Sequence, residues 1–528
     1  MYVSRKILLI SFFVLACVLT TAFEWRVGFL RALQKSCSYS KDCAAELFRV
    51  SLPPIPRTWD DDRIASLELP VPSLSGKKKA HVSSDYYYRI PVRPLYKNYP
   101  VYAPNRQPPG YQEWLQRQQP ELLFDIERLH TYADWINVGR EIFHAPIAYN
   151  ALVDPTDLSN PKWYDQVRPP VAKDGTIPFL RYGIREGGRV EVGILSCATC
   201  HSRVMPDGEV VDGAQGNFRY NAAIAWSYRI HGSPEFVHQD VKLIYGTPWM
   251  QPDPHDSLYS ASVQEICKFE EAMPGGVIAR NGTSPLFPTH VPPLIGVKDR
   301  LYLDATGQVQ HRNIGDLMRY MALAQGLDFT SRYGSFIPDG EGNPQEVPLP
   351  SELHAQRYSD AELFAVALYV YSLKQPPNPN KPNELSAKGQ QLFTELKCGR
   401  CHTPPLYTNN MLMPVEGFEV SAEHHAQYRI MSHTIGTDPG LTMKTRRGTG
   451  YYKVPSLQGL WYREMFGHSG YSRSLEDWFD PKRTGTAYVP TGFRPPQEPS
   501  FAVTGHSYGL SLSDSDREAL IAFLKTLD

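Results

Sequence analysis

No GxGxxG or P-loop glycine pattern and no HExxH occurs in these 528 residues, so nucleotide-binding and zinc-protease readings have no support. Charge of one sign is lacking too: 54 Lys+Arg against 55 Asp+Glu leave a formal net charge of −1. No strongly basic face advertises nucleic acid, and no global field steers a partner, although a local docking patch remains open. An Asp-rich loop with calcium-binding spacing is also missing. Methionine stops at Met465, so the C-terminal stretch offers no thioether ligand. Cysteine is scarce, with 8 in the chain, and that scarcity makes its placement informative.

Four of the eight fall into two copies of one pattern, CATCH at Cys197–His201 and CGRCH at Cys398–His402. From this composition chance would supply about 0.004 such motifs, and the spacing is the attachment signature of c-type haem. One helical turn presents Cys197 and Cys200, or Cys398 and Cys401, to the two vinyl groups of a porphyrin. The adjacent His201 or His402 then ligates iron as proximal ligand. Zinc knuckles are the alternative, but C-x-x-C zinc sites do not require a histidine directly after the second cysteine. Two covalently bound haem c groups are therefore expected.

The N-terminus supplies an address. Arg5 and Lys6 precede an apolar run, residues 7–23, with no charge inside it. It reads as a signal peptide cut after Ala22 or as a retained membrane anchor, with the anchor favoured. A lipoprotein reading through Cys17 is weaker, because the apolar run continues past it. Each version exports the body to the periplasm, where c-type haem is attached, and leaves Arg5 and Lys6 inside. Cys37 and Cys43 are close enough for a small disulfide in that oxidising compartment. Cys267 reads as a buried apolar residue.

The expected fold is mainly α: two tandem cytochrome c-like haem domains with long loops, preceded by the membrane segment and an extended arm. The arm, 24–136, is rich in Pro and Tyr, wraps a neighbouring domain, and carries a helix near Gln112 to Trp135. The first haem domain is 137–375, the Pro-rich linker 376–385, and the second haem domain 386–528. Ordered echoes carry this division. Gly139-Arg140-Glu141-Ile142-Phe143 matches Gly389-Gln390-Gln391-Leu392-Phe393. Val291-Pro292-Pro293-Leu294-Ile295-Gly296 matches Val454-Pro455-Ser456-Leu457-Gln458-Gly459. Each half closes on a helix capped by a serine, Ser359 or Ser513.

CATCH, CGRCH, the stretch KVPSLQGLWYREMFGHSG (Lys453 to Gly470) and the ending GHSYGLSLSD (Gly505 to Asp514) together resemble the bacterial dihaem cytochrome c peroxidase superfamily. The likeness covers 137–528 and is nearer to the rubber-oxygenase-like branch than to typical peroxidases. Classical members ligate the second haem with a methionine placed after the Lys453–Gly470 stretch; none exists here. The resemblance implies instead that His506, a late histidine, fills the sixth position of the second haem. His468 and the methionines Met411, Met413, Met431 and Met443 compete for that role. Many family peroxidases also carry a histidine shortly after the first motif, whereas none lies between His201 and His231.

For the first haem the candidate distal histidines are His231, His238, His290, His311 and His354, with the repeat favouring His354. Within the loop from His290 to Arg312, His311 and Arg312 are the candidate catalytic pair, a proton donor and a stabilising charge. Trp226, Trp249 and Trp461 are candidate electron carriers between haems. The expected function is an exported dihaem oxidoreductase. Its second haem relays electrons from a donor protein or the quinol pool to a first haem that reduces peroxide or activates O₂. A pure electron-transfer cytochrome with both irons six-coordinate is the rival. A haem-bearing subunit that docks through the arm is a third reading.

Overall fold

The computed structural model describes residues 54–63, 84–247, 250, 252–280, 282–324 and 356–528. The apolar leader 7–23, Cys17, Cys37, Cys43, Trp249 and His354 lie outside the described residues. No helix among the described residues is long and apolar enough to cross a membrane. The chain divides into two units, 1–54 with Glu127–Asp134, and Ile55–Ile126 with Trp135–Asp528. In the first unit the described part is a local cap. Asp134 Oδ2 accepts the backbone N–H groups of His130 and Thr131, and Asp134 N–H donates back to Thr131 Oγ1. That exchange satisfies donors that a helix start leaves open. Both haem motifs belong to the second unit.

Four helices frame that second unit, as two crossing pairs: α1 (Tyr132–His144) with α2 (Asp360–Ser372), and α3 (Glu384–Glu395) with α4 (Asp514–Lys525). Glycine makes each crossing possible. A Cβ on Gly139 would lie 2.1 Å from the Ala365 carbonyl oxygen, and one on Gly389 would lie 1.9 Å from that of Ala519. One turn further along, Phe143 meets Tyr369 edge-on at 5.4 Å, and Phe393 meets Phe523 at 5.4 Å. Ser359 and Ser513 cap α2 and α4 with side-chain acceptors for the N–H groups of Glu362 and Asp516. The two pairs thus use the same contacts at the same positions of their echoes.

Sheet structure departs from a mainly helical expectation in the first half. β1 (Asn98–Tyr102), β2 (Ala148–Tyr149), β3 (Thr176–Glu186) and β4 (Arg189–Ile194) form one antiparallel sheet in the order β1-β3-β4-β2. Gly187-Gly188 closes the β3–β4 hairpin, with Gly188 at φ 79°, a left-handed backbone that glycine adopts without steric cost. The arm supplies the edge strand β1, in which Pro100 is tolerated because no further strand needs its missing N–H. Its expected helix near Gln112 to Trp135 is two separate helices, Tyr111–Gln116 and α1. The linker is shorter than read, since Asn383 caps α3 two residues before 385.

The segments after the two Val-Pro echoes cross over. His290 N–H donates to the His468 carbonyl at 2.8 Å, and at the matching position Lys453 N–H donates to Ala305 at 3.1 Å. Tyr302 and Ala305 pack into the second half's core beside Leu412 and Tyr451. Met465 packs into the first half's core, where its carbonyl accepts Gln215 Nε2 at 3.1 Å. Each half therefore completes the other.

Candidate functional site

The sheet delivers the first motif. β4 runs into Leu195, held at φ 69°, and Ser196 then caps a single helical turn, Cys197–His201. Thr199 Oγ1 ties that turn to the Phe179 carbonyl of β3 at 3.2 Å. In the second half α3 is followed by Lys397, φ 59°, from which a 3₁₀ turn, Cys398–Arg400, carries the next motif. None of the four motif cysteines forms a disulfide.

Both proximal candidates are backed by the same carbonyl of the repeat. His402 Nδ1 lies 3.2 Å from the Tyr407 and Pro455 carbonyl oxygens, which leaves Nε2 as the ligating nitrogen. The Pro292 carbonyl is the group that supports the His201 ring, although His201 Nδ1 closes no hydrogen bond of full geometry. Burial, and then the charge of Arg280, pulls the His201 imidazole down to about 4. Burial also lowers His402. Neutral rings are the metal-binding form.

The loops that hold these prolines are closed by a matched pair of arginines. Arg300 donates to the Pro293 and Ile295 carbonyls at 2.5 and 2.7 Å. Arg463 donates to the equivalent Ser456 carbonyl at 3.2 Å and to that of Gln458. Gly296 and Gly459 turn the two loops at φ 75° and 69°. One buried polar residue directly precedes each loop: His290, drawn down to about 4 by burial, and Lys453. Burial, followed by repulsion from Arg300, pushes Lys453 down to about 7.

His506 stands where a second axial ligand would. Its ring centre is 6.3 Å from that of His402, with the planes at 57°. Two metal–imidazole bonds of about 2 Å each, measured out to the ring centres, span a little over 6 Å. Gly505 and His506 both take left-handed backbone, φ 79° and 48°, and His506 N–H donates to the Ile435 carbonyl. Burial, then the nearby His402 and Arg483, lowers the His506 ring to about 4. Its Nδ1 is buried with no hydrogen-bond partner. The donor set, two neutral buried imidazoles beside two thiols, fits a covalently held haem.

Other candidates are placed differently. His468 stacks on Tyr452 at 4.4 Å and reaches Thr437 Oγ1 at 3.3 Å, ordering its loop. Met413 and Met431 are core residues, with Met411 and Met443 packed against them. Trp226 donates to Asp157 at 2.7 Å within the core, and Trp461 packs beside Tyr462. His231 pairs with Asp157 and His238 with the Ala261 carbonyl.

The candidate catalytic pair, His311 and Arg312, bonds to other parts of the fold. His311 spends both ring nitrogens on the fold, Nδ1 at 2.8 Å from the Arg300 carbonyl and Nε2 at 2.6 Å from Tyr371 Oη. Arg312 pairs with Asp316 at 2.9 Å one turn along. Sequence reasoning missed Arg300, Arg463 and Arg483. The first two had a signal, since both close the Val-Pro echo at the same spacing; Arg483 had none.

No protein-family model matches the chain, and no curated protein matches it. Among solved structures, a MauG-like protein associated with microbial copper homeostasis is 16% identical with a TM-score of 0.29, covering 51% of this chain and 82% of that one. The hydrazine synthase of Kuenenia stuttgartiensis is 14% identical with a TM-score of 0.25, again over 51% and 82%. At that identity and overlap the likeness decides neither fold nor function.

Proposed function

We propose that the chain is a dihaem c-type redox protein with divided labour. The second haem, attached at Cys398 and Cys401 and held between His402 and His506, passes electrons. The first, attached at Cys197 and Cys200 and held by His201, meets O₂ or peroxide. Haem with two strong axial ligands supplies electron transfer alone, whereas an open position allows a small ligand to bind. The observation that carries this reading is the pairing of His402 with His506 at 6.3 Å; the counterpart of His506 in the repeat, His354, lies outside the described residues.

The chain's own residues do the orienting. Pro455 and Tyr407 fix the tautomer of His402, so that Nε2 points away from the backbone. Burial favours the neutral form of both imidazoles. The reading places the protein in the periplasm, anchored by residues 7–23, with a donor protein or the quinol pool supplying electrons.

The test is the optical and electron paramagnetic resonance spectrum of the oxidised protein, with haem stoichiometry from a haem-stained denaturing gel. Two covalent haems, one low-spin and one high-spin, support the proposal. Two low-spin signals would favour a pure electron carrier, and a haem-free exported chain would end the haem reading.

A further inference from the structure

The helix Tyr220–Ile230 ends on His231, its C-cap residue, where the helix dipole favours positive charge. There His231 meets two carboxylates from a loop 74 residues earlier in the chain. One ligand atom from each of Asp154, Asp157 and His231 lies within 4.8 Å of the other two. Asp157 is no ordinary surface acid, since its side chain is 3% exposed. His231 is 41% exposed and Asp154 half-buried. The three groups therefore open on solvent while one of them is rooted in the core.

Hydrogen bonds fix both carboxylates. Asp157 Oδ1 accepts Trp226 Nε1–H at 2.7 Å, and Oδ2 accepts the Asp154 N–H at 3.0 Å. Asp154 receives the Thr156 N–H, Thr156 Oγ1 and the Asp157 N–H on Oδ1 alone, at 2.7, 2.6 and 3.0 Å, which leaves Oδ2 for another ligand. Burial raises the Asp154 carboxyl, but the bonds from Thr156 and Asp157 outweigh it and hold it below the ordinary range. Among the described residues no lysine or arginine pairs with either carboxylate, and the one ion pair they form is with His231. Carboxylates drawn together and partly out of water call for positive charge between them.

The distances fit shared ligands. His231 Nε2 stands 3.3 Å from both Oδ1 and Oδ2 of Asp157. A charge-assisted N–H···O bond is shorter, about 2.7–2.9 Å. Two ligands of one tetrahedral zinc ion, each about 2.1 Å from the metal, stand about 3.4 Å apart.

We propose that Asp154, Asp157 and His231 form a binding site for a divalent transition ion of the zinc class. One imidazole nitrogen and two carboxylate oxygens supply three ligands, and the exposed side leaves a fourth position to water. The nitrogen ligand selects against calcium, which takes oxygen alone. Bound there, the ion pins the loop at 154–157 to the end of the helix that carries Trp226. The site shares no residue with either haem motif.

Isothermal titration of the full-length holoprotein, first cleared of loose metal by a chelator, reads the site with zinc chloride. One zinc ion per chain should bind, and calcium chloride should not displace it. Asp154→Asn and His231→Gln, both at the surface, should each weaken binding by at least about 10-fold, the smallest loss usual even for groups that only support a metal ligand. Zinc X-ray absorption of the loaded, unmutated protein gives a readout that needs no variant: one imidazole, with oxygen completing the shell. Absence of zinc binding would leave a plain ion pair. Binding that survives both substitutions would put the ion elsewhere, and a sulfur shell would put it on the thiols. Displacement by calcium, with His231→Gln unaffected, would mean an oxygen site without the imidazole. Each of these four results overturns the proposal.

Discussion

The guanidinium of Arg483, fully buried, donates to the backbone carbonyl of His506 at 2.8 Å. The same group reaches the carbonyls of Trp478, Val503 and Gly505 at 2.7, 2.5 and 3.0 Å, and its plane covers the Trp478 ring at 4.5 Å. Four carbonyls converge on one cation, so the loop bearing His506 is held from behind rather than by the ring itself. Its strained, left-handed backbone needs that support.

Replacing Arg483 by Met would leave those carbonyls buried without a donor, at about 1–3 kcal/mol for each one that finds no substitute. The second haem should then become a mixture of low-spin and high-spin forms while His506 itself is unchanged. Electron paramagnetic resonance of the oxidised Arg483→Met protein reads this directly. A fully low-spin second haem would show that the loop holds without the arginine.

Replacing His506 by Met tests the axial assignment more directly. A thioether favours the reduced state relative to imidazole, so the midpoint potential of the second haem should rise in His506→Met. A new sulfur-to-iron absorption band should accompany it. Unchanged potential and spectrum would take the ligand away from His506.

The helix crossings predict a packing cost. In Gly389→Ala the new methyl carbon would press on the Ala519 carbonyl oxygen from 1.9 Å, a backbone atom that cannot turn aside. Overpacking of this kind costs about 1–3 kcal/mol. Denaturant unfolding followed at the second haem should show it, and Gly139→Ala should do the same at the first crossing. A midpoint equal to that of the unmutated protein would contradict the tight crossing.

Glu270 gives the fold a pH dependence. It is buried in the helix Val263–Glu271, where Oε2 accepts from Asn221 at 2.7 Å and Oε1 from Tyr245 at 3.0 Å. Burial raises it to about 8. A carboxyl with a raised folded value binds its proton more tightly when folded. Its contribution is therefore complete below the ordinary glutamate range and is lost as pH climbs to about 8. Stability measured between about pH 5 and 8 should fall in the unmutated protein, with this slope removed in Glu270→Gln. A slope that survives the substitution would assign it to other groups.

How much of this was legible beforehand follows from range. The haem motifs are local: C-x-x-C-H must lie within one turn, so spacing alone reveals it. The echoes were legible because a duplicated unit must repeat its tight spots, and Gly139 with Gly389, Ser359 with Ser513, and Pro292 with Pro455 mark crossings, caps and proximal carbonyls that tolerate few alternatives. The Gly187-Gly188 hairpin was equally local and went unread; proline and tyrosine in the arm hid its edge strand, because such residues are compatible with loop and edge alike.

Tertiary structure decided the partners. That His311 is consumed by Arg300 and Tyr371, that His506 rather than His468 faces His402, and that Arg483 braces its loop depend on segments that meet only after folding. Spacing along the chain can specify which atoms bond a cofactor when they share one turn; which atoms surround it is set by the long-range packing of the two interlocked halves.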